Sequence, residues 1–284
     1  MLTLPAPAKL NLFLHIVGRR DDGYHELQTV FQFLDITDTL QFRLRNDGEI
    51  YLHTDLDFPA EQNLVWRAAK LLQQHTNTKQ GADITLQKRI PLGAGMGGGS
   101  SDAATTLVGL NRLWHTALST ATLEKLGKQL GADVPIFVRG QASWAEGIGE
   151  QLMPVDCPER YYLVVVPPCQ VSTQEVFSHP ALTRNTPRIK VSDFLFHPAK
   201  THNDFESLIA KLYPPVAAAL QWVRQFATPR LTGSGSAIFA EFADPAMAKC
   251  ILKQLPAPNC GFVAKAINRS PLLLELDNIA TRVS

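Results

Sequence analysis

Residues 91–101 read Pro-Leu-Gly-Ala-Gly-Met-Gly-Gly-Gly-Ser-Ser, and Asp102, Ala103 and Ala104 follow at once. Five glycines fall within the seven residues 93–99. Such a run permits positive φ angles and lets the main chain come close to a ligand. Behind it, Ala103, Leu107, Leu110 and Trp114 recur at helical spacing, so the pattern predicts a helix from Ser101 to Trp114. Unpaired N–H groups and the positive end of the helix dipole then face the loop, which makes an anion site. The dipole contributes only ~0.3–1 kcal/mol at an exposed terminus, so several converging N–H groups must hold a phosphate chain. Pro91, Leu92, Gly93, Ala94, Gly95, Met96, Gly97, Gly98, Gly99, Ser100 and Ser101 are read together as a phosphate-binding loop. The two hydroxyls are available to phosphate or to a bound magnesium ion.

Common owners of glycine loops are excluded by what surrounds this one. Counted from Gly93, a Walker A loop needs lysine where Gly99 stands. Gly93, Gly95 and Gly98 satisfy G-x-G-x-x-G, but a dinucleotide fold also needs an acidic residue about 20 positions on. Ala103 to Leu123 contains no Asp or Glu. The companion motifs of a protein kinase are absent. A glycine-rich turn with no ligand is the plain alternative.

Upstream, Leu10, Leu12, Leu14 and Ile16 alternate with Lys9, Asn11, Phe13 and His15. Period two predicts a strand with one apolar face, and puts Lys9 and Asn11 on the same side. Asp22-Gly23 marks a turn. Strand-like runs follow at residues 27–34, 39–44 and 49–53, read as short strands of an antiparallel or mixed sheet. Asn63 to His75 is read as a helix capped by Asn63, and Ala82 to Ile90 as a strand feeding the loop. Ser119 to Leu130 is read as a helix ended by Gly131. Downstream, strands are expected at residues 161–166, 231–242 and 261–267, and helices at 215–226 and 244–255. A composition shift at residues 155–160 suggests two units, 1–155 and 156–284.

The bulk numbers fit a globular enzyme of 284 residues, with 45% hydrophobic and 19% charged side chains. A net charge of +1, from 27 basic and 26 acidic groups, argues against a nucleic-acid partner. Cys157, Cys169, Cys250 and Cys260 form no C-x-x-C pair, so they are expected to be reduced and mostly buried. The N-terminus lacks a signal-peptide pattern and the longest apolar run is too short to span a bilayer. A soluble, cytoplasmic protein is therefore expected. The eight histidines include no H-E-x-x-H cluster, so no metal held by the protein itself is expected.

The loop and its continuation, P-L-G-A-G-M-G-G-G-S-S-D-A-A, resemble the second motif of the GHMP kinases, the group that phosphorylates galactose, homoserine, mevalonate and related alcohols. Pro7-Ala8-Lys9-Leu10-Asn11 resembles the first motif and residues 231–237, Leu-Thr-Gly-Ser-Gly-Ser-Ala, the third. Residues 7–27 do not carry the G-E-H ending of galactokinases and mevalonate kinases. They are similar instead to the branch that phosphorylates a cytidine-diphosphate-linked polyol in the non-mevalonate isoprenoid pathway, as are residues 131–135 and 203–206. Met96 departs from an expected leucine, a volume-conserving change.

The resemblance implies an α+β, two-domain GHMP kinase fold: an N-terminal domain like domain 2 of ribosomal protein S5, then a ferredoxin-like C-terminal domain. It implies ATP as phosphoryl donor, bound by the loop with Asn63 and Lys88, and magnesium arriving with ATP. It implies Lys9 and Asp133 as the catalytic pair. Asn11, Tyr24, His25, Phe31 and Phe177 are the implied substrate contacts, with the base stacked by Tyr24, bonded by His25 and faced by Phe177. The chemistry suits these residues. Phosphoryl transfer asks for positioning and charge stabilisation, and a carboxylate can take the hydroxyl proton late. Aromatic stacking on a base is worth about 1–3 kcal/mol. Each residue also has a plainer reading. Asp133 can cap a helix ahead of Pro135, Lys9 and Lys88 can be strand lysines, and Phe31 suits the core. Partners are small molecules, with neither nucleic acid nor membrane, in a monomer or homodimer. The rivals are a kinase of another alcohol, a nucleotide-binding oxidoreductase and a non-catalytic binding protein.

Overall fold

The computed structural model describes residues 1–283. The fold is α+β and centres on one long antiparallel hairpin, β1 (Leu2–Arg19) and β2 (His25–Arg45). The short strands expected at 27–34 and 39–44 are one strand. Polar residues 35–39 suggested a break, but the buried Asp38 carboxylate accepts from the Arg89 and Ile90 amides at 2.5 and 2.8 Å and from the Lys88 ammonium. A satisfied carboxylate does not interrupt a strand.

The chain continues through β3 (Ile50–His53), α1 (Leu64–Thr76), β4 (Gly81–Gln87), α2 (Gly98–Leu113), α3 (Thr120–Leu130), α4 (Val134–Arg139), β5 (Ser143–Glu146) and β6 (Gln151–Pro154). β2 pairs with β1 along one edge, and with β4, β5 and β10 in turn along its length. β3 runs parallel to β4, so the sheet is mixed. Three expected boundaries move. β4 stops at Gln87 because residues 88–90 turn to meet Asp38. α2 begins at Gly98, inside the triple glycine. Gly131 does not close α3 in the left-handed form, since its φ of 175° is extended backbone. α1 is capped as expected, the Asn63 side chain accepting from the Val65 amide at 2.9 Å.

The second half holds β7 (Tyr161–Val166), α5 (Thr173–Ser178), α6 (Val191–Phe196), α7 (Glu206–Leu212), α8 (Pro214–Val223), β8 (Arg230–Leu231), β9 (Ile238–Phe242), α9 (Pro245–Leu252), β10 (Cys260–Ile267) and α10 (Pro271–Val283). Strands β10, β7, β9 and β8 are neighbours in that order, all antiparallel, with helices before β8 and between β9 and β10. That is the split βαβ arrangement of a ferredoxin-like unit. β10 also touches β2 through Ala266 and Ile267, which joins the two sheets.

The period-two reading of β1 holds only in part. A bulge between Asn11 and Leu14 resets its register. Leu10, Leu12 and Phe13 enter one apolar cluster, and Leu14 and Ile16 another, under the second half. Both faces of β1 are buried, so Lys9, Asn11 and His15 are enclosed rather than solvated. Of the cysteines only Cys157 is buried; Cys250 and Cys260 are exposed, against expectation. No helix among the described residues is long and apolar enough to cross a membrane.

Candidate active site

A cleft of about 390 Å³ opens between the glycine loop, β1 and the second half of the chain. Lys9, Asn11, Phe31, Gly93, Gly95, Gly97, Ser100, Asp133, Phe177 and Gly233 all line it.

The loop is shaped by two glycines above all. Gly95 has φ of 77°, and a Cβ there would lie 2.2 Å from the Thr232 carbonyl oxygen. Gly97, at φ 72°, leads into α2, and its Cβ would strike the Phe137 ring at 2.8 Å. Any side chain would force both the third glycine segment and α4 away. The Ala237 amide donates to the Ala94 carbonyl at 3.2 Å, so residues 232–237 buttress the loop from behind. β1 is tied in as well, by the Lys9 amide donating to the Met96 carbonyl at 3.0 Å.

Lys9 and Asn11 do share a face. The Lys9 ammonium donates to the Asn11 side-chain oxygen and, at 2.9 Å, to the Gly95 carbonyl. Asn11 is held from its other sides: its amide nitrogen donates to Thr29 Oγ1 and its backbone N–H to Thr232 Oγ1, both at 2.9 Å. Lys9 Nζ then lies 3.3 Å from Asp133 Oδ2. Asp133 sits at the N-cap position of α4, yet its side chain makes no capping bond. The helix-cap alternative therefore fails, and the carboxylate, 34% exposed, faces the cleft. Phe31 belongs to the core and also lines the cleft, with Lys9 Nζ 5.3 Å from its ring centroid. This assembly can orient a hydroxyl between a fixed ammonium and an accessible carboxylate, opposite a phosphate cradle.

The other sequence-derived residues divide. His25 stacks on Phe177, centroids 5.0 Å apart, while Tyr24 stands 59% exposed. Phe177 thus faces His25 rather than Tyr24. The sequence reading missed Arg184, whose Nε donates to His25 Nε2 at 3.0 Å. Burial, then the charges of Arg184 and Arg19, hold His25 below its usual range, so the ring is neutral at neutral pH. With Nε2 accepting, the proton sits on Nδ1 as a free donor. Nothing in the sequence around Arg184 signals this pairing across 159 positions.

On the loop's outer face a shallower hollow of about 220 Å³ is lined by Leu64, Lys88 and residues 91–100. Lys88 lines it, but its ammonium is bound to Asp38 and, at 2.7 Å, to Asp102. Asn63 adjoins it as the cap of α1. Ser100 borders both hollows; Ser101 is fully buried and lines neither.

The cleft offers the Asp133 carboxylate and the Ser100 hydroxyl to a cation. Among the described residues no group of three or more His, Cys, Asp or Glu could hold a metal ion. These donors fit a magnesium ion carried mainly by a triphosphate, whose oxygens supply most of its octahedron.

The family model for the GHMP kinases N terminal domain matches residues 63–141. The chain is 51% identical over 274 residues to the 4-diphosphocytidyl-2-C-methyl-D-erythritol kinase of Shewanella loihica, covering 96% of each chain. To the enzyme of the same name from Nitrosococcus oceani it is 53% identical, over 96% of this chain and 97% of that one. A crystal structure of 4-(cytidine 5'-diphospho)-2C-methyl-D-erythritol kinase superposes with a TM-score of 0.82 at 32% identity, over 93% of this chain and 99% of that one. A mevalonate kinase structure gives a TM-score of 0.70 at 18% identity, over 95% and 100% of the two chains, a likeness of fold.

Proposed function

The chain belongs to the 4-diphosphocytidyl-2-C-methyl-D-erythritol kinases of the GHMP family, and from that premise we propose that it transfers the γ-phosphoryl group of ATP to the 2-hydroxyl of 4-diphosphocytidyl-2-C-methyl-D-erythritol. The observation that carries this reading is the Lys9–Asp133 pair, 3.3 Å apart, at a cleft walled by the glycine loop.

The loop amides and the start of α2 hold the triphosphate. Lys9, fixed by Asn11 and the Gly95 carbonyl, polarises the acceptor hydroxyl. The hydroxyl oxygen bonds to the γ-phosphorus as the bond to the β–γ bridging oxygen breaks; Asp133 accepts the hydroxyl proton late in this step and ADP leaves. Magnesium, carried by the nucleotide, neutralises charge on the phosphate oxygens. Lys88 and Asn63 border the nucleotide from the outer hollow. At the far end His25 Nδ1 donates to the cytosine, Tyr24 covers the base, and Phe177 and Arg184 hold the imidazole. Residues 1–155 form the ATP-binding unit and 156–284 close the cleft over it. The reaction runs in the cytoplasm, on small molecules alone, in a monomer or homodimer.

The test is ADP release, coupled to NADH oxidation, over a panel of alcohols. The cytidyl substrate is expected to exceed galactose, homoserine and mevalonate by orders of magnitude in kcat/KM. Any of those three performing better overturns the assignment.

A further inference from the structure

A larger cavity than the cleft, about 490 Å³, lies in the second half of the chain and shares no lining residue with it. Leu12, Phe194 and Phe239 give it an apolar wall, and its volume is in the range of small-molecule sites. Nothing in the phosphoryl-transfer reading uses it.

Its polar groups are few and incompletely paired. Arg230 donates only to neutral oxygens: the carbonyls of Leu12 and Pro198 at 2.9 and 2.7 Å and Thr201 Oγ1 at 3.1 Å. Among the described residues no carboxylate bonds it, and its Nε–H meets no acceptor. The Tyr162 hydroxyl, on a ring 4% exposed, likewise has no hydrogen-bond partner among the described residues. Burial pushes this phenol up, Glu241 and Cys157 adding to the effect and Arg230 and Arg160 opposing it, so it keeps its proton and remains a donor. Burial also lowers the Arg230 guanidinium, and Tyr162 is the first group to oppose that, so the two donors act on one space. At the mouth Arg160 pairs with Glu241 at 3.4 Å. The charged lining is therefore two guanidinium groups against one carboxylate. A buried, unneutralised cation beside an unpaired donor is unfavourable unless an anion completes it.

We propose that this cavity is a second binding site for a small monocarboxylate with an apolar body. The carboxylate bonds Arg230 and Tyr162, and the body lies against Leu12, Phe194 and Phe239. One negative charge matches the single excess positive charge of the lining, and the remaining surface rewards apolar contact.

The probe is octanoate, titrated into the whole protein by calorimetry against its neutral counterpart octanamide. The variants are Tyr162→Phe, which removes only the hydroxyl, and Ala199→Trp, which fills the exposed rim. Neither residue belongs to the proposed catalytic machinery, so melting temperature and kinase turnover should match wild type and verify folding. Octanoate should bind one to one, and octanamide about tenfold more weakly or less, because a charge-assisted bond is lost. Tyr162→Phe should weaken octanoate by about tenfold. Ala199→Trp should abolish binding. The proposal is overturned if octanamide binds as well as octanoate, if both variants bind like wild type, if octanoate competes with ATP or the cytidyl substrate, or if no saturation appears by about 10 mM. The titration involves no turnover, so it stands or falls separately from the kinase assignment.

Discussion

Two lysines sit beside the same glycine loop, each against carboxylate, and they do different work. Lys9 meets Asp133, whose side chain is 34% exposed and otherwise free of hydrogen bonds from the protein. Lys88 meets Asp38, 0% exposed, and Asp102, 4% exposed; Asp38 also accepts two backbone N–H bonds. The contrast lies in what the carboxylate has left to give. Asp133 retains acceptor capacity turned to a cleft, as a proton acceptor must. Asp38 is saturated, and so fixes where β4 turns into the loop. A lysine–carboxylate pair is therefore no sign of chemistry by itself.

The first way to break this comparison is Asp133→Asn. The substitution keeps shape and removes the acceptor, so kcat should fall by about 10³, or ~4 kcal/mol of barrier. The KM for ATP and the melting temperature should stay near wild type. Steady-state kinetics and a thermal melt measure this, and equal losses in kcat and ATP affinity would make Asp133 a nucleotide or structural residue. Asp38→Ala should do the reverse. It strips the Arg89 and Ile90 amides and the Lys88 ammonium of their acceptor, and should cost about 3 kcal/mol in urea unfolding. The protein that remains folded should turn over within a few-fold of wild type. A thousandfold loss of kcat in folded Asp38→Ala would erase the distinction between the two pairs.

His15 tests whether every polar residue enclosed along β1 serves the cleft. Burial, then the charge of His202, lowers its pKa from 6.5 to about 4, with Asp204 opposing, and Nδ1 has no partner. The folded value lies below the unfolded one, so the unfolded chain binds the extra proton. Stability is then full above about pH 6.5 and is lost as pH falls towards 4. About 2 kcal/mol should disappear over that window, and His15→Gln should flatten the slope. Activity at pH 7.5 should change little in that variant. An unchanged slope would remove His15 as the titrating group.

What the sequence discloses follows the same division. The loop, the shared face of Lys9 and Asn11, and the exclusion of other glycine-loop owners were all legible, because short-range spacing determines them. The continuity of β2 was not: Asp38 looks like a strand breaker until Lys88, 50 positions on, bonds it. The bulge after Asn11 was also hidden, since alternation cannot reveal an extra residue opposite β2. Arg184 behind His25 depends on a contact across 159 positions, which no local pattern records. α4 escaped because six residues opening with Val134-Pro135 give no helical period to read. Local chemistry wrote the loop, whereas distant pairing wrote the support beneath it.

Asp102 carries the smallest expected effect, and the sharpest one for the Lys88 site. One ammonium cannot neutralise two buried carboxylates. Burial pushes Asp102 well above the usual carboxylate range; Lys88 opposes this and Asp38 adds to it. Its Oδ1 has no hydrogen-bond partner, whereas Oδ2 accepts from Lys88 at 2.7 Å. Asp102 is thus the acid that holds its proton, and Asp38 the anion. An asparagine would keep an oxygen towards Lys88 and put its amide where Oδ1 is idle, so Asp102→Asn should change stability by less than about 1 kcal/mol. Because the folded pKa is raised, the native acid adds stability that is present at low pH and lost as pH rises through that value. The asparagine variant should lose this falling slope in urea unfolding measured across pH. A loss as large as that of Asp38→Ala would mean that Asp102 is ionised in the native protein, and that Lys88 is shared equally between two anions.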